Sequence, residues 1–200
     1  MPTPPLERRL AAGVPADDDW VRLDDCLVRA PLELHAWLAE PGLLTARVRK
    51  ACGGATRFTL LRLEPAPLQP ALARRMGVTD AGCLLREIEF ACGGSRWIFA
   101  QSVFPDSTIR QHPWLGELGN VALGESLLGR GDVSREPLEY RQLVSGEDLA
   151  VAAGLPQGTA PSVWGRRAVY RISDAPILVQ ELFLPALLQC GPPADGPGSR

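Results

Sequence analysis

The chain has 200 residues, of which 46% are hydrophobic, with a formal net charge of −2 and a pI near 5.7. This length and apolar content suit one domain with a sizeable core, and they argue against two full domains. The slightly acidic balance, without a basic stripe, argues against nucleic acid as the main partner. Nearly all of the positive charge is arginine, since Lys50 is the only lysine. Buried arginines favour the recognition of planar carboxylates.

The sequence lacks the signatures of several other protein classes. No apolar run is long enough for a signal peptide or a membrane span, so we expect a cytoplasmic protein. The two histidines, His35 and His112, have no ligand-spaced partner, which argues against a histidine metal site or a catalytic triad. The cysteines are scattered and odd in number, and we expect neither a disulfide framework nor a zinc site among them. They are Cys26, Cys52, Cys83, Cys92 and Cys190.

The predicted elements begin after a loose arm at residues 1–19. Helical spacing of apolar residues predicts a helix over Ala30–Glu40, and shorter helices are expected at 68–76 and near Leu123. The word Ala-Cys-Gly-Gly occurs at 51–54 and again at 91–94, and both copies are interpreted as hairpin turns. We expect one domain over residues 20–187 and a disordered tail at 188–200.

Strand-like segments are joined mostly by such turns, which predicts an antiparallel sheet and an α+β fold of about six strands. A ligand could lie between the sheet and its covering helices. The segments are 57–64, 83–90, 97–104, 136–144, 162–172 and 177–183.

Charged residues fall on apolar faces of these strands. Because side chains alternate along a strand, Glu181 shares a face with Phe183, and Arg86 shares one with Ile88. Arg166 lies in the same way on the apolar face of the strand before Glu181. A charge removed from water costs several kcal/mol unless it is paired or binds a ligand. For Arg86 the alternatives are extension to the sheet edge, a structural carboxylate, or an anionic ligand.

Five short words in this order resemble the chorismate pyruvate-lyase family. They cover roughly residues 30–187, and although each is short, the ordered set is specific. The words are Leu84–Phe90 (LLREIEF), Val103-Phe104-Pro105, Leu123-Gly124, Trp164–Arg167 (WGRR) and Glu181–Ala186 (ELFLPA).

The resemblance implies a fold and an activity. The family fold is a single antiparallel sheet with helices packed on one side and flaps over a buried ligand cavity. The family eliminates pyruvate from chorismate to give 4-hydroxybenzoate at the start of ubiquinone biosynthesis. No metal, nucleotide or flavin is implied, and we expect a monomer with small-molecule partners only.

The resemblance also implies site residues. Arg86 would hold the ring carboxylate together with the backbone amide of Leu123, and Glu181 would meet the ring hydroxyl. Arg86 and Glu181 are therefore the candidate catalytic residues, and Leu44 matches a flap residue in contact with the ligand. We add Arg166 as a candidate for the enolpyruvyl carboxylate, because it lies on the apolar face of the last hairpin.

One departure and two other functions stay open. Gln101 stands where family members commonly have arginine, so substrate affinity is lowered if that arginine supports the site and unchanged if the position is on the surface. A domain of this fold could instead sense a small effector, although the first 30 residues are short for a DNA-binding helix-turn-helix. A non-catalytic carrier of 4-hydroxybenzoate is the other alternative.

Overall fold

The computed structural model describes residues 20–127, 130–156 and 162–189. The predicted arm at 1–19 and residues 190–200 of the predicted tail lie outside this part of the chain. None of the described helices is long and apolar enough to cross a membrane. The helices are α1 (Leu23–Leu27), α2 (Leu32–Leu38), α3 (Leu44–Cys52), α4 (Pro70–Met76), α5 (Asp106–Gln111), a 3-10 helix (Pro113–Glu117), α6 (Leu123–Leu127), α7 (Asp148–Ala152) and α8 (Pro185–Gln189).

The strands form one antiparallel sheet, which confirms the predicted α+β class. The order across the sheet is β1-β2-β3-β7-β6-β4, and β5 also pairs with β6. The described residues form seven strands instead of about six, because the three-residue β4 is too short to leave a periodic pattern in the sequence. The strands are β1 (Thr56–Pro67), β2 (Gly82–Cys92), β3 (Ser95–Pro105), β4 (Val133–Arg135), β5 (Glu139–Leu143), β6 (Val163–Ile172) and β7 (Ala175–Phe183).

The two Gly-Gly words have different roles. Gly93 and Gly94 both have positive φ and connect β2 to β3, as predicted for a hairpin turn. Gly53 instead ends α3 at φ 62°, so the hairpin interpretation of the first copy is wrong. A left-handed glycine ends a helix as readily as it turns a hairpin, and only the preceding segment distinguishes the two cases.

A disulfide joins Cys52 to Cys92, which corrects the expectation that the cysteines are unpaired. Cys52 ends α3, and Cys92 ends β2 opposite Thr56, the first residue of β1. Antiparallel pairing of β1 with β2 brings the two cysteines together. The bond therefore attaches the end of α3 to the sheet.

Helices cover both faces of the sheet, so the expectation of helices on one side only is wrong. On one face, α2 and α3 pack on β2 and β3 through Trp37, Val48 and Ile88. On the other face, Leu72 of α4 packs near Val103. There α7 also covers one end of the sheet. This second face is apolar at both ends, and an apolar sheet face must be covered to be stable.

Candidate active site

A cavity lies between the sheet and a roof formed by the start of α3 and by α6. It contains about 550 Å³ of atom-free space, counting its open mouth. All the site residues expected from the sequence line this one cavity: Leu44, Arg86, Leu123, Arg166 and Glu181. Residues from β2, β6, β7 and two separate helices therefore converge on one space.

Arg86 supplies a buried positive charge at one end of the cavity. Its side chain is fully buried, and Nη2 donates to the carbonyl oxygens of Gly119 (2.9 Å) and Val121 (2.7 Å). Its Nε and Nη1 are buried and have no hydrogen-bond partner among the described residues. Burial lowers the pKa of Arg86 to about 10, so the guanidinium is still charged at neutral pH. These free, charged donors at the cavity suit an anionic acceptor such as a carboxylate.

Leu123 is the first residue of α6, and its backbone lies at the same cavity. Helix N-terminal amides have no acceptor within the helix. In the described part of the chain, the Leu123 amide donates to no other backbone group, whereas those of Glu125 and Ser126 donate to Ala122. The Leu123 amide is thus free to donate to a ligand in the cavity, together with Arg86.

Glu181 is held by an ion pair with Arg166. The two residues lie opposite each other on β7 and β6, and Arg166 Nε is 2.5 Å from Glu181 Oε2. Burial alone would lower the pKa of Arg166, but the adjacent Glu181 carboxylate outweighs it and the pKa is raised. Arg166 Nη1 donates to the carbonyl oxygen of Glu40 at 2.8 Å, in the connection before α3. Arg166 therefore connects Glu181 to the segment that leads into the roof.

The roof is closed by contacts between α3 and α6. Leu43, directly before α3, lies so close to Gly124 that a Cβ at position 124 would be 2.6 Å from Leu43 Cδ2. An ion pair between Arg49 and Glu125 connects the same two helices on the outside. Leu44 is buried beneath this contact and lines the cavity. These contacts hold α3 and α6 together above the cavity.

Three hydroxyl groups at the cavity were not predicted from the sequence as site residues. Ser102 is directly opposite Arg86 on β3 and is buried, and Thr45 follows Leu44 in the roof. Both residues line the cavity. Tyr170 of β6 also lines the cavity. The register of the β2–β3 hairpin could have revealed Ser102, because it faces Arg86 across the turn at Gly93.

Gln101 is neither a cavity residue nor a surface residue, which are the two alternatives that the sequence left open. It is buried on the opposite face of the sheet. Its Nε2 donates to Glu87 at 3.0 Å, and its Oε1 accepts from Gln180 at 3.1 Å. Gln101 thus belongs to a separate buried polar network.

Arg86 and Glu181 are spaced to bracket a small ring. In the sheet register Arg86 is opposite Ser102, which is opposite Val179, two residues before Glu181. Two strand spacings of about 4.8 Å and one side-chain row of about 7 Å separate the two Cα atoms by about 12 Å. After both side chains have extended inward, the gap suits a ligand with a carboxylate at one end and a hydrogen-bonding oxygen at the other.

Comparison with known proteins gives consistent results. The family model for chorismate lyase matches residues 14–190. A probable chorismate pyruvate-lyase of Methylococcus capsulatus is 36% identical over 164 residues, which are 78% of this chain and 96% of the relative. A protein with the same description from Azoarcus sp. is 35% identical over 171 residues, covering 80% of this chain and 87% of the relative.

Solved structures support the fold alone. The C-terminal domain of PhnF matches with a TM-score of 0.51 and 14% identity, covering 63% of this chain and 80% of that one. The C-terminal domain of a histidine utilization repressor from Pseudomonas syringae matches with a TM-score of 0.50 and 6% identity, covering 72% of this chain and 99% of that one. The matches to the two relatives cover most of both chains, and the family-model match spans every candidate site residue. The chain therefore belongs to the chorismate lyase family.

Proposed function

We propose that this protein eliminates pyruvate from chorismate to give 4-hydroxybenzoate. The observation that carries the proposal is the fully buried Arg86, whose two free nitrogens face a cavity with Glu181 at its other end. A buried charge without a partner is costly, and a bound carboxylate would supply the missing partner. Family membership is consistent with this substrate. A role in ubiquinone biosynthesis and a cytoplasmic location stay predictions.

Arg86 binds the ring carboxylate of the substrate in this proposal. The free N–H groups of Arg86 donate to the carboxylate, and the Leu123 amide donates a further hydrogen bond. Nη2 stays on the carbonyl oxygens of Gly119 and Val121, which fixes the plane of the guanidinium. Substrate orientation therefore comes from a rigid group, so little entropy is lost on binding.

Glu181 accepts a hydrogen bond from the ring hydroxyl and orients that end of the ring. In the reaction the ether C–O bond breaks, the ring loses the hydrogen at its hydroxyl-bearing carbon and becomes aromatic, and the enol methylene gains a hydrogen to form pyruvate. Glu181 can relay that proton, or the hydrogen can transfer directly in a concerted step. Arg166 positions Glu181 in either case, because it holds one carboxylate oxygen at 2.5 Å.

Leu44 and the roof contribute by excluding water. Leu44, at the start of α3, lines the cavity and packs against the ring of the bound substrate. A closed apolar roof strengthens the electrostatic contacts of Arg86 and Glu181. Release of the aromatic product is therefore expected to be slow relative to the chemistry.

The test mixes purified protein with chorismate and follows 4-hydroxybenzoate and pyruvate by chromatography. The proposal predicts equimolar formation of both products, above the uncatalysed background, with many turnovers per protein and without added metal or cofactor. Protein that binds 4-hydroxybenzoate but forms neither product would contradict the lyase proposal and favour a sensor or a carrier. A heat-inactivated sample supplies the background rate.

A further inference from the structure

The charges around the cavity do not balance a substrate with two carboxylates. Arg86 contributes one positive charge without a partner, and the charge of Arg166 is compensated by Glu181 at 2.5 Å. The cavity therefore has a net charge of +1, which suits the single carboxylate of 4-hydroxybenzoate. Chorismate carries a second carboxylate on its enolpyruvyl arm, and this group needs another partner.

Arg166, the candidate from the sequence, has little capacity left for that group. Two of its three guanidinium nitrogens are already engaged, since Nε donates to Glu181 and Nη1 faces the carbonyl oxygens of Trp37, Leu38 and Glu40 at 2.8–3.4 Å. These contacts fix the guanidinium in a structural position. A substrate carboxylate at Arg166 would also compete directly with Glu181.

Tyr170 and Arg135 form a second polar group at the same cavity. Tyr170 lines the cavity, and Arg135 is its direct cross-strand neighbour on β4, a placement that suits a hydrogen bond from the guanidinium to the phenol oxygen. A phenol that accepts a hydrogen bond from a guanidinium keeps its own proton to donate. Burial, and then the charge of Glu181, raise the pKa of Tyr170, so the hydroxyl stays protonated at neutral pH.

Arg135 has charge available for a ligand. Its side chain is exposed, and no carboxylate of the described residues lies within ion-pair distance of it. Because its partner Tyr170 lines the cavity, the Arg135 guanidinium lies beside the cavity rather than inside it. A carboxylate near Tyr170 would thus meet one neutral donor and one cation.

The sheet register places Tyr170 at a third position around the cavity, apart from Arg86 and from Glu181. Tyr170 is opposite Ile177, four residues before Glu181 on β7, and in the sheet order it lies one strand from Glu181 and three strands from Arg86. Strand geometry separates its Cα from that of Glu181 by about 14 Å and from that of Arg86 by about 16 Å. The long tyrosine side chain can span part of this distance. Chorismate also has three polar corners, which are its ring carboxylate, its hydroxyl and its enolpyruvyl carboxylate.

We propose that Tyr170 and Arg135 form the subsite for the enolpyruvyl carboxylate of chorismate. The inference rests on the proposed function, because only a substrate with a second carboxylate uses this corner. The subsite separates substrate from product, since 4-hydroxybenzoate has no group that reaches it. Pyruvate would leave from the Arg135 side while the aromatic acid stays on Arg86.

The test compares wild type with Tyr170→Phe and Arg135→Gln, with Arg110→Gln as a control that removes an exposed arginine elsewhere. We expect kcat/KM for chorismate to fall about tenfold or more in both site variants, because each loses a hydrogen bond to a charged group. The Kd for 4-hydroxybenzoate should stay within about twofold of wild type, and the control should match wild type in both measurements.

Other outcomes would overturn the subsite. An unchanged kcat/KM in both site variants would contradict it. An equal loss of affinity for chorismate and for 4-hydroxybenzoate would also contradict it, because that result indicates a structural role for the Tyr170–Arg135 pair. A wild type without turnover would contradict the proposed function separately. In that case calorimetry with chorismate and 4-hydroxybenzoate tests the subsite directly, since only chorismate binding should weaken in the variants.

Discussion

Both faces of the sheet bury polar residues at its centre, but the two sets differ in whether their polar groups have hydrogen-bond partners. On the cavity face the buried Arg86 keeps two nitrogens without a hydrogen-bond partner among the described residues. On the other face Glu87, Gln101 and Gln180 form a chain of hydrogen bonds of 3.0–3.1 Å across β2, β3 and β7. Buried polar groups normally have partners. The unpaired donors on the cavity face therefore indicate a ligand-binding site. The paired polar groups on the opposite face indicate a structural role.

The largest effect is expected from the substitution Arg86→Met. It removes the unpaired charge and puts an apolar side chain of similar length in its place. We expect the affinity for 4-hydroxybenzoate to fall by about 1000-fold, because two hydrogen bonds between charged groups are lost. The free energy of unfolding should stay the same or rise, since burial of this charge opposes folding. Calorimetry and thermal denaturation measure the two quantities. An affinity close to that of wild type would contradict the carboxylate assignment.

Glu181→Gln tests the other end of the cavity face. If Glu181 relays a proton, kcat should fall by about 100-fold, because an amide cannot take that proton. The affinity for 4-hydroxybenzoate should fall much less, since the amide oxygen still accepts a hydrogen bond from the ring hydroxyl. Single-turnover measurements separate chemistry from product release. An unchanged rate of chemistry would leave Glu181 with an orienting role and favour concerted hydrogen transfer.

Glu87→Met is the matched change on the opposite face, one residue away from Arg86 along β2. It leaves the Gln101 amide without its acceptor and removes one ion-pair contact of Arg62, which also pairs with Glu64 at 2.6 Å. We expect the free energy of unfolding to fall by about 2–3 kcal/mol, since buried groups are left unpaired. The affinity for 4-hydroxybenzoate should be unchanged. A variant that keeps full stability but loses affinity would show that the two faces are coupled.

The sequence predicted the strand faces well, because their alternation has a period of two. That period placed Arg86 and Glu181 on apolar faces, and both line the cavity. It could not identify the partners of each residue across the sheet. The pairing of Cys52 with Cys92, the partners of Gln101 and the contact of Arg135 with Tyr170 all depend on strand order and register.

Helix α3 shows a second limit of the sequence. Its residues, Leu44–Cys52, include three positively charged side chains and a mixed apolar pattern, so no helix or strand is predicted there. The helix is stabilised by packing of Leu44 and Val48 on the sheet, which is a tertiary contact. Placement of the roof therefore could not follow from local propensity, although the resemblance did assign Leu44 to a flap.

The smallest expected effect concerns this roof, where Arg49 pairs with Glu125 across α3 and α6. Arg49→Ala should speed the dissociation of 4-hydroxybenzoate by about twofold to fivefold, because an exposed ion pair contributes only about 0.2–1 kcal/mol. Lys50→Ala removes the same charge from the next position of α3 and is the control. Stopped-flow displacement measures the rate, and high salt should abolish the difference between wild type and Arg49→Ala. If both variants release product equally fast, the net charge of the roof sets the rate, and the Arg49–Glu125 contact does not hold the cavity closed.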